Sequence, residues 1–246
     1  MLAHVFQIGK LRPSPFGPMV TMAPARKPAP PNPPQLIRRR LPQWRAKTVF
    51  DVGANTGQSA RGFARLWPEA RIHSFEPVPA TFAQLSETVR DLPKVTAHNL
   101  GLGSLDGTAE MTDLAQSVQN RIISGSEGLP SQTVQIQRGA DFCQAHGIKQ
   151  ISYLKIDTEG HDLEVLKGFI GLFKRIDFVQ VEAGMNPHNK THVPFARLSD
   201  FLTRRGFCLF YIFDQVMEFK QGGRPVLRRC NPVFINTRLV DLTGIT

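Results

Sequence analysis

The chain has 246 residues, of which 41% are hydrophobic, and it carries 30 Lys and Arg against 20 Asp and Glu. The apolar fraction is sufficient for a folded core, which excludes a wholly disordered chain. Its three cysteines are far apart and form no CxxC pair, which argues against a disulfide framework and a structural zinc site. This usage favours a reducing compartment, so we expect a cytoplasmic protein.

The excess positive charge lies in the first 47 residues. They contain nine Lys and Arg, no Asp or Glu, and ten of the 19 prolines. Because proline lacks a backbone N–H and disfavours helix at the preceding residue, residues 1–46 are predicted to form a disordered, basic, Pro-rich tail. The folded domain is then expected at 47–246, which is nearly neutral. That balance does not favour nucleic acid as a partner, but non-enzymatic nucleic-acid binding through the tail stays open as an alternative.

From Lys47 onward the pattern is strand, turn and helix, repeated. In the first half it predicts strands at 48–52, 71–76 and 95–102, and helices at 58–67 and 80–89. Residues 103–138 are rich in Gly, Ser and Gln and have the weakest pattern. The chain contains no run of about 18 apolar residues, so no transmembrane segment is expected.

The second half repeats the alternation but has no helix between its last two strands. It predicts strands at 151–156, 177–181, 207–213 and 232–237, helices at 162–173 and 195–205, and a turn at Gly222-Gly223. The whole pattern predicts an α/β fold. It has an open, mostly parallel sheet, helices on both faces and an antiparallel hairpin at one edge. Ligands of such folds bind at the carboxyl ends of the strands, where the strand order reverses.

The most informative segment is the turn Asp51-Val52-Gly53-Ala54-Asn55-Thr56-Gly57, between the first strand and the first helix. Gly53 would let the backbone approach a ligand, and Gly57 would let the helix pack against the sheet. A dinucleotide-binding loop needs GxGxxG, and the middle glycine is missing here. Asp51 adds a negative charge, which a cationic ligand tolerates better than a diphosphate does. These features favour S-adenosylmethionine as the cofactor.

Glu76 supports the same interpretation. It lies twenty-five residues after Asp51, at the end of the second predicted strand. An acidic side chain at this point of a nucleotide-binding fold accepts hydrogen bonds from ribose hydroxyls.

Four segments together resemble the FkbM-type S-adenosylmethionine-dependent methyltransferases. They are VFDVGANTGQ at 49–58, SFEPVP at 74–79, NLGLGSLDG at 99–107 and LKIDTEGHDLEVLKGF at 154–169. The last, with FVQVEA at 178–183, is the most specific part. The resemblance implies the Rossmann-like sandwich of class I methyltransferases. It also implies O-methylation of a hydroxyl on a small molecule or glycan, such as a sugar or a secondary metabolite.

The resemblance also implies roles for individual residues. Gly53, Asn55 and Gly57 would form the loop on the methionine side of the cofactor, and Glu76 would bind the ribose. Asp51 would order the loop or meet the amino group. The third strand ends in Asn99 and Leu100, which would line the adenine.

Asp157, Glu159 and His161 are the candidate catalytic residues, because an alcohol must lose its proton when it is methylated. Asp157 ends a buried strand, so its carboxylate should emerge into the cleft, while Glu159 and His161 begin the next helix. Glu182, at the end of the following strand, is a further acid.

Two alternatives stay open at this point. Asp157 and Glu182, with Asn186, could offer oxygen ligands to magnesium, but we assign no metal and expect His188 and His192 to lie in a solvated loop. A nicotinamide-linked oxidoreductase on a similar fold is the other enzyme class, against which the missing glycine and Asp51 argue.

Overall fold

Strands and helices alternate along the chain, as the sequence predicts. The computed structural model describes residues 32–112, 122, 130–218 and 226–240. The helices are α1 (Pro33–Arg40), α2 (Gln58–Leu66), α3 (Pro79–Val89), α4 (Gly139–Ala145), α5 (Asp162–Gly168) and α6 (Phe195–Thr203). The strands are β1 (Thr48–Val52), β2 (Arg71–Phe75), β3 (Val95–His98), β4 (Gly101–Gly103), β5 (Gly107–Thr112), β6 (Ser131–Arg138), β7 (Ile151–Ile156), β8 (Ile176–Gln180), β9 (Ala183–Gly184), β10 (Phe207–Met217) and β11 (Leu227–Asn236).

The main sheet has the strand order β3-β2-β1-β7-β8-β11-β10, with β9 paired to β11. The five strands from β3 to β8 are parallel, and β11 runs antiparallel to both β8 and β10. This confirms the predicted α/β fold with an antiparallel hairpin at one edge. From β1 the chain first proceeds to β2 and β3, and later returns to β7 on the other side of β1. The cleft for a ligand is therefore expected above β1 and β7.

Helices cover both faces of this sheet because successive side chains of a buried strand point to opposite faces. Val49 of β1 and Tyr153 of β7 belong to a cluster shared with α1 and α2. The next residues, Phe50 and Leu154, belong to a cluster on the side of α4, α5 and α6. By the same alternation, Asp51 and Lys155 lie on the α1 and α2 side of the sheet.

The segment predicted as one strand over 95–102 is in fact broken. β3 belongs to the main sheet, whereas β4 belongs to a second sheet of order β4-β6-β5. The break occurs at Asn99, whose Nδ2 donates to the carbonyl oxygens of Glu76 (3.0 Å) and Pro77 (2.9 Å) and fixes the chain at that point. Gly101 then lies against Ile136 of β6, so closely that a Cβ there would be 2.5 Å from the Ile136 side chain.

The prediction that residues 1–46 form a disordered tail is wrong for residues 32–46, which are ordered and begin with α1. Pro33 and Pro34 occupy the first helical positions, where a missing N–H breaks no helical hydrogen bond. Asn32 caps the helix through a reciprocal capping box. Ile37 is fully buried. High proline content therefore does not prevent a helix that starts at its prolines.

Trp44 fixes the segment that follows α1. Its Nε1 donates to Asp177 Oδ2 at 2.9 Å, and its ring packs edge-on against Trp67 and Phe178. The described domain accordingly begins at Asn32 instead of residue 47.

Other differences are smaller. The helix predicted over 162–173 ends at Gly168, and Gly171, with a φ of 96°, lies in the turn that follows. The sequence interpretation also missed α4. The turn predicted at Gly222-Gly223 lies outside the described residues. None of the helices described has the length and apolar character needed to cross a membrane.

Candidate active site

A cavity of about 300 Å³ opens at the carboxyl ends of β1, β2 and β7. This is the position at which the fold places ligands. The residues predicted for the site that line it are Gly53, Asn55, Glu76, Asp157, Glu159 and His161. The predicted residues that do not line it are Asp51, Gly57, Asn99 and Leu100.

Every backbone N–H of the loop 53–57 already has a protein acceptor. The five hydrogen bonds are Gly53 N to Phe75 O (3.0 Å), Ala54 N to Phe75 O (2.9 Å), Asn55 N to Glu76 Oε2 (3.1 Å), Thr56 N to Asn55 Oδ1 (2.7 Å) and Gly57 N to Ala54 O (3.0 Å). A phosphate-binding loop needs free amides that point at the anion. This loop offers none, so its shape is fixed by the protein and does not depend on a bound phosphate.

The two glycines of the loop serve different purposes. Gly53 has a φ of +75°, and a Cβ there would collide with the carbonyl oxygen of Asp157. Gly57 has a φ of +94° and packs against Leu85 and Thr88 of α3. Gly53 therefore lets the loop approach the end of β7 at the cavity wall, whereas Gly57 allows α2 and α3 to pack together.

Glu76 is held on the cavity wall by backbone groups. Its Oε2 accepts from Asn55 N (3.1 Å) and its Oε1 from Val78 N (3.0 Å). Burial raises the pKa of this carboxyl to about 7, although the two backbone hydrogen bonds oppose the shift. The side chain is therefore rigid, and a ligand that donates hydrogen bonds or carries positive charge would favour its ionised form.

Asn99 and Leu100 lie behind the wall. Asn99 stabilises the turn after Glu76, as described above, and Leu100 packs against the core. The wall itself is formed by the following residues, Gly101 and Leu102.

The second sheet adds an apolar side to the cavity through Met111, Ile122 and Ile136. These residues come from the segment with the weakest sequence pattern and could not have been found by local signals.

Asp51, Lys155 and Asp157 form a charged trio beneath the cavity. Lys155 Nζ lies 3.2 Å from Asp51 Oδ1 and 3.2 Å from Asp157 Oδ2. Asp51 is fully buried, and its Oδ2 has no hydrogen-bond partner among the described residues. Sequence reasoning missed Lys155, although a lysine inside an otherwise apolar buried strand is an available signal.

Each member of the trio has a shifted pKa. Burial raises the pKa of Asp51 even though Lys155 opposes it. Burial alone would lower the pKa of Lys155, but the charges of Asp157 and Asp51 outweigh it and raise that pKa. Burial would also raise the pKa of Asp157, yet Lys155 holds it below its ordinary value. Asp157 is therefore ionised near neutral pH and lies at the cavity surface.

Glu159 lines the cavity beside a second group of charges. His192 Nε2 lies 3.6 Å from Glu159 Oε2 and 2.9 Å from Glu182 Oε2. Arg229 Nη1 lies 2.5 Å from Glu182 Oε1. Burial first, and then the charge of Glu182, raises the pKa of Glu159 to about 7. Its backbone has a φ of +49°, which is uncommon for a residue other than glycine.

The ligand atoms of Glu159, Glu182 and His192 lie within 4.8 Å of one another, close enough to hold a metal ion. However, Arg229 already supplies a positive charge to Glu182, so the group does not need a metal for charge balance. The expectation that His192 lies in a solvated loop is wrong, since it is 6% exposed. Asn186 accepts from His188 N at 2.9 Å and does not belong to this group.

His161 lies at the start of α5 and lines the cavity, with its Nε2 beside Gly103. Burial lowers its pKa, so the imidazole is neutral near pH 7. It can contribute a hydrogen bond to a ligand at this pH but no positive charge.

The sequence matches the Methyltransferase FkbM domain family over residues 51–209. The hexuronic acid methyltransferase AglP of Haloferax volcanii is 32% identical over 162 residues, which are 63% of this chain and 65% of that protein. The match therefore spans slightly less than two thirds of that relative. The 2-O-methyltransferase NoeI of Sinorhizobium fredii is 23% identical over 190 residues, which are 71% of this chain and 75% of that protein.

Among solved structures, fibrillarin of Aeropyrum pernix is similar with 12% identity and a TM-score of 0.43, covering 77% of this chain and 66% of that one. The family match extends over more than half of the sequence. It includes the glycine loop, Glu76 and the turn between β7 and α5. The chain belongs to the FkbM methyltransferase domain family.

Proposed function

We propose that the chain is an S-adenosylmethionine-dependent O-methyltransferase that methylates a hydroxyl group of a sugar or another small molecule. The acidic cavity carries the proposal. Glu76, Asp157 and Glu159 line it, and the lining lysine, Lys155, is already paired with Asp51 and Asp157. Such a site favours a positively charged ligand. S-adenosylmethionine carries an ammonium and a sulfonium group.

The negative charge of the cavity does not favour a nicotinamide dinucleotide as the cofactor. A pyrophosphate needs free amides or unpaired cations. The amides of the loop 53–57 all donate to protein acceptors. The cavity would instead place the pyrophosphate among carboxylates.

Glu76 is the residue that we assign to the ribose. A carboxylate can accept about four hydrogen bonds, and the backbone uses two, one on each oxygen. Each oxygen can therefore accept one more bond from a ribose hydroxyl. Gly53 and Asn55, on the loop side of the cavity, are assigned to the methionine portion, and Gly101 and Leu102 to the base.

S-adenosylmethionine would supply a methyl group bonded to a positively charged sulfur. The chain must then hold an acceptor hydroxyl in line with that group, and positioning of this kind can lower a barrier by about 7–11 kcal/mol. We assign to Asp157 the removal of the hydroxyl proton, which typically contributes about 10²–10⁴-fold. Lys155 keeps Asp157 ionised, so the carboxylate can accept a hydrogen bond from the hydroxyl, but the lowered pKa also makes it a weaker base.

The names of the relatives support a sugar hydroxyl as the acceptor. One is a hexuronic acid methyltransferase and the other a 2-O-methyltransferase.

Calorimetry with S-adenosylmethionine, S-adenosylhomocysteine and NAD tests the cofactor assignment. The first two should bind saturably and NAD should not. Glu76→Gln should weaken binding of the donor about 10–100-fold, the loss of one charge-assisted hydrogen bond of roughly 1.5–3 kcal/mol. Glu87→Gln, on the exposed surface of α3, is the matched control and should bind as the parent does. Saturable NAD binding without a response to the sulfur compounds would overturn the proposal.

The role of Asp157 needs a kinetic test with labelled methyl donor. Asp157→Asn should retain affinity for the donor and lose about 10²-fold or more of its turnover. If turnover is unchanged, Asp157 does not accept the proton.

A further inference from the structure

A second cavity, of about 260 Å³, adjoins the first. Its walls come from the N-terminus of α1, from α2, and from residues of β8, β10 and β11. The two cavities share Ser59, Lys155 and Asp157. The end of β7 therefore lines both cavities, and it carries the carboxylate that we assign to proton removal.

The second cavity contains a buried polar group with unused hydrogen-bonding capacity. Gln180 is 7% exposed, and its Oε1 accepts from the hydroxyl of Tyr153 at 2.6 Å. Its Nε2 donates to none of the residues that the structure describes, and Gln180 lines the cavity. This amide therefore faces the cavity as an available donor, and a ligand oxygen there can accept a hydrogen bond from it.

Asp214 and Asn231 complete the polar wall. Asn231 Nδ2 donates to Asp214 Oδ2 at 2.9 Å, which fixes the carboxylate. Asp214 has a φ of +46°, an uncommon backbone conformation that Asn and Asp tolerate better than most residues. Together, Gln180 offers a donor and Asp214 an acceptor. A ligand that carries several hydroxyl groups, which both donate and accept, matches these two residues.

The charges of the wall disfavour an anionic ligand. Asp157 and Asp214 carry negative charge. Of the described residues that line the cavity, Lys155 is the one basic side chain. It lies 3.2 Å from both Asp51 and Asp157, so no unpaired cation remains for a carboxylate or phosphate. Pro34, Phe63 and Leu66 add apolar surface to the opposite wall.

We propose that this second cavity binds the methyl acceptor, and that the acceptor is a neutral hydroxyl-bearing ring, such as a neutral sugar. The inference rests on the proposed function, because it takes the first cavity as the donor site. A methyl group can pass only between adjoining sites, and Asp157 lines both cavities.

The donor, the acceptor and Asp157 account for every bond and proton in the methyl transfer. The acceptor oxygen forms a bond to the methyl carbon while the carbon–sulfur bond breaks. The electron pair of that bond stays on sulfur, which yields neutral S-adenosylhomocysteine, and the hydroxyl proton passes to Asp157. Gln180 and Asp214 hold the neighbouring hydroxyls of the ring and thereby orient the one that reacts.

The test uses the full chain, labelled S-adenosylmethionine, and a panel of neutral methyl glycosides with the corresponding methyl hexuronides. Label should enter neutral glycosides in preference to hexuronides. Asp214→Asn keeps the backbone conformation and the bond from Asn231, and it should raise the acceptor KM about fivefold or more, the loss of roughly 1 kcal/mol of hydrogen bonding. The control, Gln215→Asn, changes an exposed neighbour outside the cavity and should leave KM unchanged.

A second variant, Gly62→Phe, adds a large side chain at the second cavity. Nothing lies within 4 Å of a Cβ at Gly62, which lines the second cavity and not the first. This variant should raise the acceptor KM at least tenfold and leave donor affinity unchanged.

The outcomes separate the two proposals. If the donor does not bind, the proposed function itself fails. If the donor binds but the hexuronides are preferred, or no neutral glycoside is methylated, the assignment of a neutral acceptor is wrong. If Asp214→Asn and Gly62→Phe leave the acceptor KM unchanged, the acceptor binds elsewhere.

Discussion

The substitution Lys155→Met should destabilise the fold because it leaves the buried carboxylate of Asp51 without its cation. Among the described residues, Lys155 provides the one cation within ion-pair distance of Asp51, which is 0% exposed. Removal of one partner from a buried pair leaves an uncompensated charge, at a typical cost of about 3–5 kcal/mol.

The structure also limits this cost, because Asp51 can escape it by binding a proton. The ordinary pKa of the group is 3.8. Protonation of a carboxyl of that pKa at pH 7 costs about 4 kcal/mol, at 1.36 kcal/mol per pH unit. The loss in Lys155→Met at pH 7 should therefore be about 3–4 kcal/mol.

Because protonation of Asp51 limits the cost, the stability lost in Lys155→Met depends on pH, and the direction of this dependence can be worked out. In the variant, the folded-state pKa of Asp51 rises further above its unfolded value, so the folded state takes up a proton that the unfolded state does not. Stability of the variant relative to the parent should therefore recover as the pH falls. At pH 5 the cost of protonation is only about 1.6 kcal/mol.

Urea denaturation followed by tryptophan fluorescence at pH 7 and pH 5 measures both quantities. Lys94→Met, which breaks an exposed pair with Glu69, should leave the free energy of unfolding nearly unchanged. The double variant Asp51→Asn with Lys155→Met removes the buried charge and should lie within about 2 kcal/mol of the parent. A loss below about 1 kcal/mol in Lys155→Met, or one that does not shrink at pH 5, would refute the reasoning.

Three further predictions test the surroundings of the site. Gly53→Ala should lower the free energy of unfolding by about 2–4 kcal/mol, because its Cβ collides with the backbone, whereas Gly62→Ala in open space on α2 should raise it by roughly 0.5–1 kcal/mol. Burial, followed by nearby charges, lowers the pKa of His73 and His98 to about 4. The free energy of unfolding should therefore fall as the pH drops from about 6.5 towards 4, because the unfolded state takes up protons first. In His98→Gln this fall should be less steep. Trp44→Ala should cost about 3 kcal/mol through lost packing.

The same denaturation experiments can contradict each of these three predictions. Equal effects of the two glycine substitutions would contradict the close approach of Gly53 to β7. An unchanged acid dependence in His98→Gln would mean that this histidine takes up its proton as readily in the folded state as in the unfolded state. An unaltered stability of Trp44→Ala would mean that residues 32–46 behave as the disordered tail that their proline content suggested.

The parts of the fold that depend on local pattern could be predicted from the sequence. β1, β7 and α3 were found almost to the residue, because an apolar run bounded by turn residues, or a helical apolar stripe, is visible in a short window. The break between β3 and β4 could not be found in this way, since it depends on hydrogen bonds from Asn99 to residues more than twenty positions earlier.

The same distinction applies to the site. Gly53, Glu76 and Asp157 lie at strand ends, which sequence can locate, and all three line the cavity. Asp51 was placed correctly at the end of β1, but its partner Lys155 is more than a hundred residues away. Arg229 comes from the last strand. Pairs of this kind are created by the sheet topology and leave no local trace in the sequence.

We place an adenosyl group in the acidic cavity beside the glycine loop, with its ribose on Glu76. A crystal structure with S-adenosylhomocysteine would show whether this placement is correct. We expect the ribose hydroxyls within about 2.5–3.0 Å of the two carboxylate oxygens of Glu76, while the amides of residues 53–57 keep their present acceptors. A ligand bound elsewhere, or bound here with its ribose away from Glu76, would contradict the account.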